Sequence, residues 1–270
     1  MLTLGTFIAF LIICLLIGLV LISWFKYRKA KKRQLLYALD TPKEWLQYIE
    51  KNVAIYHFLP KDLQRELLGH VHVFMVEKYF TGHAGLKITD EIRVTIAAQA
   101  CLLLLNRKTN YFPHLKTIRV YPGGFKNPKH EDKSGHNLGE SWTRGPVVLS
   151  WSDTVHGGQD PEDGRNVVIH EFAHQLDQLD GGADGRPLID SAHLKIWGKV
   201  MSKEFKSLRV KAKLRNHAFF NYYGATNPAE FFAVISEHFY EQPKTFKDKH
   251  PDLYQLLVDY YKVDPATWLK

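Results

Sequence analysis

At 270 residues, with 45% hydrophobic and 24% charged residues, the chain has the length of one large or two small domains and the make-up of ordinary globular protein, which excludes a disordered or fibrous chain. The formal charge of +8 points to nucleic acid only until it is located: Lys26, Arg28, Lys29, Lys31, Lys32 and Arg33 form one cluster, and without them 30 basic residues face 28 acidic ones, so no nucleic-acid partner is expected. Cys14 and Cys101 lie far apart in apolar runs with no CxxC pair, which excludes a disulfide scaffold and fits a reducing compartment.

Residues 2 to 25 carry no charge and are dominated by Leu, Ile, Val and Phe, enough to cross the roughly 30 Å hydrocarbon core as a helix. Positive charge follows this stretch instead of preceding it, and Ser23-Trp24-Phe25 offers no small-residue cleavage site, so an uncleaved anchor is expected over residues 1–25. A buried core helix is the poorer reading, since no polar stripe is left to face water. Residues 26–40 read as a basic juxtamembrane linker, with Trp24 and Tyr27 at the interface. The positive-inside rule then places a catalytic body of residues 41–270 in the cytoplasm of a single-pass protein of the inner membrane.

In the body, Thr41-Pro42 opens a helical segment, and Leu59-Pro60-Lys61-Asp62 opens another that runs to about Tyr79 with apolar residues at Leu63, Leu67, Val71 and Phe74. His70 and His72, two apart, point about 200° from one another on a helix and cannot share a metal. A third helix follows Thr89 and runs through Ala97 to Leu105. Strands are expected at Thr117 to Tyr121 and Val147 to Trp151, separated by a polar, Gly- and Pro-rich stretch from Pro122 to Gly145.

The segment from Asn166 to Asp177 is an apolar-periodic helix holding His170-Glu171-x-x-His174, with Gly164 before it and Gly181-Gly182 after it. A spacing of four puts both imidazoles on one face, one turn apart, where they can bind a single Zn²⁺. Glu171 stands beside the first ligand, placed to take a proton from water at the metal. A chance match would be a solvated or core-capping pair. The third ligand is open. Glu230 and Glu237 lie seven residues apart on one face of a helix that Asn227 caps and Pro228 starts, and Glu230 also reads as a capping residue bonded back to Asn227. Asp180, six residues after His174, lacks the mid-spacing glycine such sites use, and His193 has no recognisable spacing behind it.

Three blocks carry a resemblance: H-E-F-A-H-Q-L-D at 170 to 177, Y-G-A-T-N-P-A-E-F-F-A-V-I-S-E at 223 to 237, and G-E-S-W-T-R-G-P-V-V-L-S-W at 139 to 151. In these blocks and their order, from about residue 55 to the C-terminus, the chain resembles the Mlc titration factor A family of bacterial zinc peptidases, and its site is similar to that of anthrax lethal factor. The resemblance implies that Glu230 closes the metal site, that Tyr223, seven residues before it, is a hydrogen-bond donor or acid in catalysis with Tyr222 a bystander, and that the activity is aminopeptidase-like on short peptides. It also implies a transcriptional repressor as partner, although this chain departs from the soluble enterobacterial members in carrying the apolar span.

The expected fold is therefore α+β: a zincin-like metallopeptidase domain with a small sheet packed on the active-site helix and a helical C-terminal half, preceded by one transmembrane helix. Zn²⁺ on His170, His174 and Glu230, Glu171 as base and Tyr223 at the oxyanion would hydrolyse a peptide or protein substrate, which an edge strand at Gly145 to Trp151 could align. Asp177 reads either as an acceptor that orients an imidazole or as an exposed helical carboxylate. The competing reading is a membrane-tethered module that binds a regulator around a structural or weakly active zinc site.

Overall fold

Helix α1 (Leu4–Tyr37) runs unbroken from the apolar stretch through the basic cluster. With apolar residues on every side it has no face to bury, and its described side chains are exposed almost throughout. The Arg28 guanidinium lies 4.9 Å over the Trp24 ring, a cation–π contact at the apolar-to-basic junction. The computed structural model describes residues 4–124, 139–141 and 145–268, and these divide into one unit up to Asp40 and another from Thr41 onward.

The second unit is mostly helical and carries one small sheet. Helix α2 (Lys43–Asn52) leads through a single turn, α3 (Ile55–Phe58), into α4 (Lys61–Glu77). The helix expected to reach Tyr79 stops short because the Tyr79 N–H turns to the Lys116 carbonyl, 2.9 Å away, and opens strand β1 (Tyr79–Gly82). Thr89 caps α5 (Asp90–Leu102) by accepting from the Ile92 N–H. Beyond it, bonds from Leu104 and Leu105 to carbonyls three residues back tighten the chain where the sequence pattern had continued the helix. His70 and His72 on α4 are both buried, His70 bonded to the Tyr111 hydroxyl and His72 to Thr41.

Strands β2 (Thr117–Tyr121), β3 (Gly139–Ser141) and β4 (Val147–Ser150) join β1 in the order β1-β2-β4-β3. The first three of that order are parallel and β3 is antiparallel to β4. The strand expected at Gly145 to Trp151 is therefore no edge: it pairs on both sides, and among the described residues the antiparallel edge of the sheet is β3. It also ends at Ser150, whose hydroxyl accepts from the Asp153 N–H and caps α6 (Trp151–Gln159). Most of the polar stretch from 122 to 145 lies outside the described residues, as do 142–144 within the third resembling block.

From there the unit is helical: α7 (Val167–Asp177), α8 (Ser191–Leu214), α9 (Pro228–Glu241), α10 (Pro243–Lys249) and α11 (Pro251–Tyr261). The last three each begin on a proline, whose fixed φ and missing N–H suit a first turn. Helix α7 packs between α9 and the sheet at β3 and β4. Phe172 of α7 is fully buried, its ring 4.8 Å from that of Phe112 and 5.7 Å from that of Phe74 on α4. Truncating such a residue typically costs about 3–5 kcal/mol, so this contact fixes where α7 lies.

Candidate metal centre

Asn166 starts α7. Its side-chain oxygen accepts from the Ile169 N–H at 2.9 Å, and its amide donates to the Gly157 carbonyl of α6 at 3.1 Å. Burial of Val168, Ile169, Phe172, Ala173 and Leu176 then turns His170 and His174 together away from the core, with ring centroids 4.9 Å apart. Glu171 follows directly and is 4% exposed.

Across from them, Asn227 caps α9 by accepting from the Glu230 N–H at 3.0 Å, so half of the capping arrangement forms. The Glu230 carboxylate does not complete it. Its Oε2 lies 3.0 Å from His170 Nε2 and 3.2 Å from His174 Nε2, and one donor atom from each of the three residues lies within 4.8 Å of the other two. Bonds of about 2.0–2.2 Å in a tetrahedron imply ligand-to-ligand edges of roughly 3.3 Å, so two imidazoles and one carboxylate at this spacing fit a small divalent ion such as Zn²⁺.

The rival glutamate has a different place. Glu237 Oε1 lies 2.7 Å from His170 Nδ1, and its Oε2 accepts from the Asn166 N–H at 2.7 Å. A carboxylate can only accept, so Nδ1 carries the proton and Nε2 is the nitrogen turned to the metal position, the usual carboxylate–histidine–metal relay. One residue thus orients the ligand and holds the start of its helix.

Protonation follows from this packing. Burial works against charging His170, but the Glu237 and Glu230 carboxylates overcome it and hold its pKa well above the ordinary value. Burial would raise Glu230, and hydrogen bonds from His170 and His174 more than reverse that, holding it well below the usual carboxylate range. The His170 and His174 Nε2 atoms that face Glu230 are the ones that would face the ion, so protons and metal compete for them. Glu241, one turn beyond Glu237, is 3% exposed, and burial first and the Glu237 and Asp163 charges second push it well above the carboxylate range.

Asp177 fits neither expectation. It is fully buried, and its Oδ2 accepts from the Gly185 N–H at 2.9 Å, while burial pushes its carboxyl up to about 6. Gly185 itself sits at φ +74°, and a Cβ there would come within 2.3 Å of the Pro228 carbonyl. Its own carbonyl accepts from Trp197 Nε1 of α8 at 3.2 Å. One glycine therefore joins the end of α7, the start of α9 and α8, setting Glu230 against the histidines.

Tyr222 and Tyr223 lie in a 3₁₀ turn, Tyr222–Ala225, capped by Asn221. The Tyr222 hydroxyl donates to the Asn216 carbonyl, whereas the Tyr223 ring stands 5.8 Å from that of His170 and is 54% exposed. Asp180 accepts from the Gly182 N–H at 3.1 Å and His193 is exposed at the start of α8. Among the described residues neither belongs to the metal-ligating group. Sequence reasoning weighed Glu237 only as a ligand, took Asn166 only as the start of a helix and did not single out Gly185. The seven-residue spacing from Glu230 was the one available signal for Glu237.

The chain is similar to known proteins over most of its length. The family model described as glucose-regulated metallo-peptidase M90 matches residues 27–262. The protein slr2042 of Synechocystis sp. is 32% identical over 266 residues, covering 94% of this chain and 97% of its own length, an extent that must take in part of α1. Mlc titration factor A of Klebsiella pneumoniae is 33% identical over 227 residues, covering 79% of this chain and 84% of its own, and that of Escherichia coli is 31% identical over 224 residues, covering 78% and 83%.

Proposed function

The chain belongs to the glucose-regulated metallo-peptidase M90 family, and from that premise we propose that it is a zinc-dependent peptidase with a zincin-like domain, anchored in the inner membrane by α1 and facing the cytoplasm. The observation that carries this reading is the convergence of His170, His174 and Glu230 beside a buried Glu171. The exposed apolar α1, with the basic cluster of Lys26 to Arg33 in its C-terminal half, supports the anchor and its orientation.

His170, His174 and Glu230 would hold zinc, which when bound would supply a Lewis acid to polarise the scissile carbonyl and acidify water. Glu237 keeps His170 Nδ1 protonated and its ring fixed. Glu171 accepts the proton of the attacking water at its carboxylate, a general-base role worth about 10²–10⁴-fold in rate. Tyr223, at the exposed rim beside His170, donates its phenolic hydrogen to the oxyanion as it forms. An extended peptide pairs along β3, the antiparallel edge of the sheet among the described residues, beside α7. Cleavage from the amino terminus of short peptides is the specificity inherited from the family resemblance.

A second reading is favoured by the relatives named Mlc titration factor A: binding of a transcriptional repressor by the same body. One experiment separates the two. Glu171→Gln in the full chain should lower peptide hydrolysis by about 10²–10⁴-fold with zinc retained, and Tyr223→Phe by about 10²–10³-fold. Substrates with free and blocked amino termini read the exopeptidase specificity. A zinc-loaded Glu171→Gln protein that cleaves at the wild-type rate would leave repressor binding as the better account.

A further inference from the structure

Near-neutrality outside the N-terminal cluster conceals one strongly charged element. Helix α8 carries seven Lys and Arg against the single acid Glu204. Its buried residues, Trp197, Met201 and Leu208, define one face. On the opposite face Lys195, Lys199, Lys206, Arg209 and Lys213 succeed one another, with Ser202, at steps of three and four residues, a continuous stripe along the helix. All five are exposed.

The carboxylates near α8 do little to neutralise this face. Among the described residues Lys203, at the margin, is the one of the seven within 4.0 Å of a carboxylate, from Glu204 and from Asp252 of α11, and Glu204 is itself engaged by His250 at 2.9 Å. Arg209 rests over the Phe205 ring at 5.7 Å. Along one flank of the stripe stand Ile196, Val210 and Leu214, which are 57%, 57% and 61% exposed. Basic side chains bordered by exposed aliphatic ones are the make-up of a helix that lies in a membrane interface, with ammonium groups on lipid phosphates and the aliphatic groups in the acyl boundary.

We propose that the outer face of α8 is a docking surface for anionic lipid headgroups, which lays the peptidase body on the membrane that α1 anchors it to. The inference rests on the anchored reading for its proximity to lipid and on α8 alone for its chemistry. Anionic lipid is the occupant favoured here because a membrane surface matches both the charge and the aliphatic flank, whereas an acidic protein segment accounts only for the charge.

The test uses the full chain reconstituted in nanodiscs of phosphatidylcholine, with or without about 30 mol% phosphatidylglycerol, and reads lysine acetylation by mass spectrometry. Rates at Lys195, Lys199, Lys206 and Lys213 should fall about fivefold or more in the anionic discs and recover at about 0.5 M salt, while Lys61 on α4 stays unchanged. Combined Lys199→Glu, Lys206→Glu and Lys213→Glu, with helicity checked by circular dichroism, should abolish the lipid-dependent protection left at Lys195. Equal rates in both kinds of disc overturn the proposal. So does polyglutamate in solution protecting these lysines in neutral discs as well as anionic lipid does, which assigns the surface to an acidic protein. A chain that stays out of both kinds of disc overturns the anchor instead, and its lysine rates on mixing with anionic vesicles then decide the surface by themselves.

Discussion

The pair α7 and α9 and the neighbouring α8 use ionisable side chains in opposite ways. On α7 and α9 the acids of the site point inward onto fixed partners: Glu230 between two imidazoles, Glu237 between His170 and the Asn166 N–H. On α8 the cations point outward, and Lys195, Lys199, Lys206 and Lys213 have no carboxylate at ion-pair distance among the described residues. Buried charges are costly without partners, so those that persist have a geometry and act through position. Exposed charges cost little, have no fixed geometry and act as a summed field.

The sharpest break of this contrast is Glu230→Ala. Removing the carboxylate leaves two imidazoles with no third ligand and a His170 stripped of one of the three acids that raise its pKa, so zinc content in the purified chain should fall from about one per chain to near zero. Metal analysis after gel filtration reads this. Full retention of zinc would place the third ligand elsewhere.

Glu237→Gln should have a smaller effect of a different kind. The carboxylate accepts two hydrogen bonds at once, from His170 Nδ1 and the Asn166 N–H, and an amide has only one acceptor oxygen for the two donors. One contact must become donor against donor. Zinc affinity, measured by competition with a chromogenic chelator, should fall about 10–100-fold while stoichiometry at saturating zinc is kept. Unchanged affinity would mean that Glu237 serves the α7 cap alone.

How far the sequence carries follows from the range of the interactions. His170 and His174 are legible because a four-residue step on a helix fixes their common face whatever surrounds it. The third ligand depends on how two helices about 60 residues apart cross, which spacing cannot state: by spacing Glu230, Glu237, Asp180 and His193 all stay open, only the resemblance pointed to Glu230, and it is Glu230 that the packing of α9 on α7 brings against the two imidazoles. Helices α4, α5, α7 and α9 were legible from apolar periodicity and capping residues, whereas α8, 24 residues long, was not singled out. Strands β1 and β3, four and three residues long, were not, because too few residues alternate to give a pattern and their existence rests on bonds to distant partners such as Lys116. The stripe on α8 was hidden by arithmetic: acids elsewhere cancel its charge in any sum over the chain.

That stripe supplies the smallest and most telling effect. Lys195 and Lys199, and Arg209 and Lys213, are pairs of like charge one turn apart, and Lys206 and Arg209 stand three apart on the same line. Such pairs destabilise a helix by about 0.2–0.5 kcal/mol each at low salt. Glutamine has nearly the helix propensity of lysine, so Lys199→Gln, Lys206→Gln and Lys213→Gln together relieve each of these pairs without weakening the helix backbone. The triple variant in detergent should therefore be slightly more stable than the wild type, by about 0.5–1.5 kcal/mol from three pairs, with zinc content unchanged. The gain should vanish at about 1 M salt, where the Debye length falls to about 3 Å. A loss of stability that persists in salt would mean that these lysines hold specific partners as the buried acids do, and the contrast between the two regions would fail.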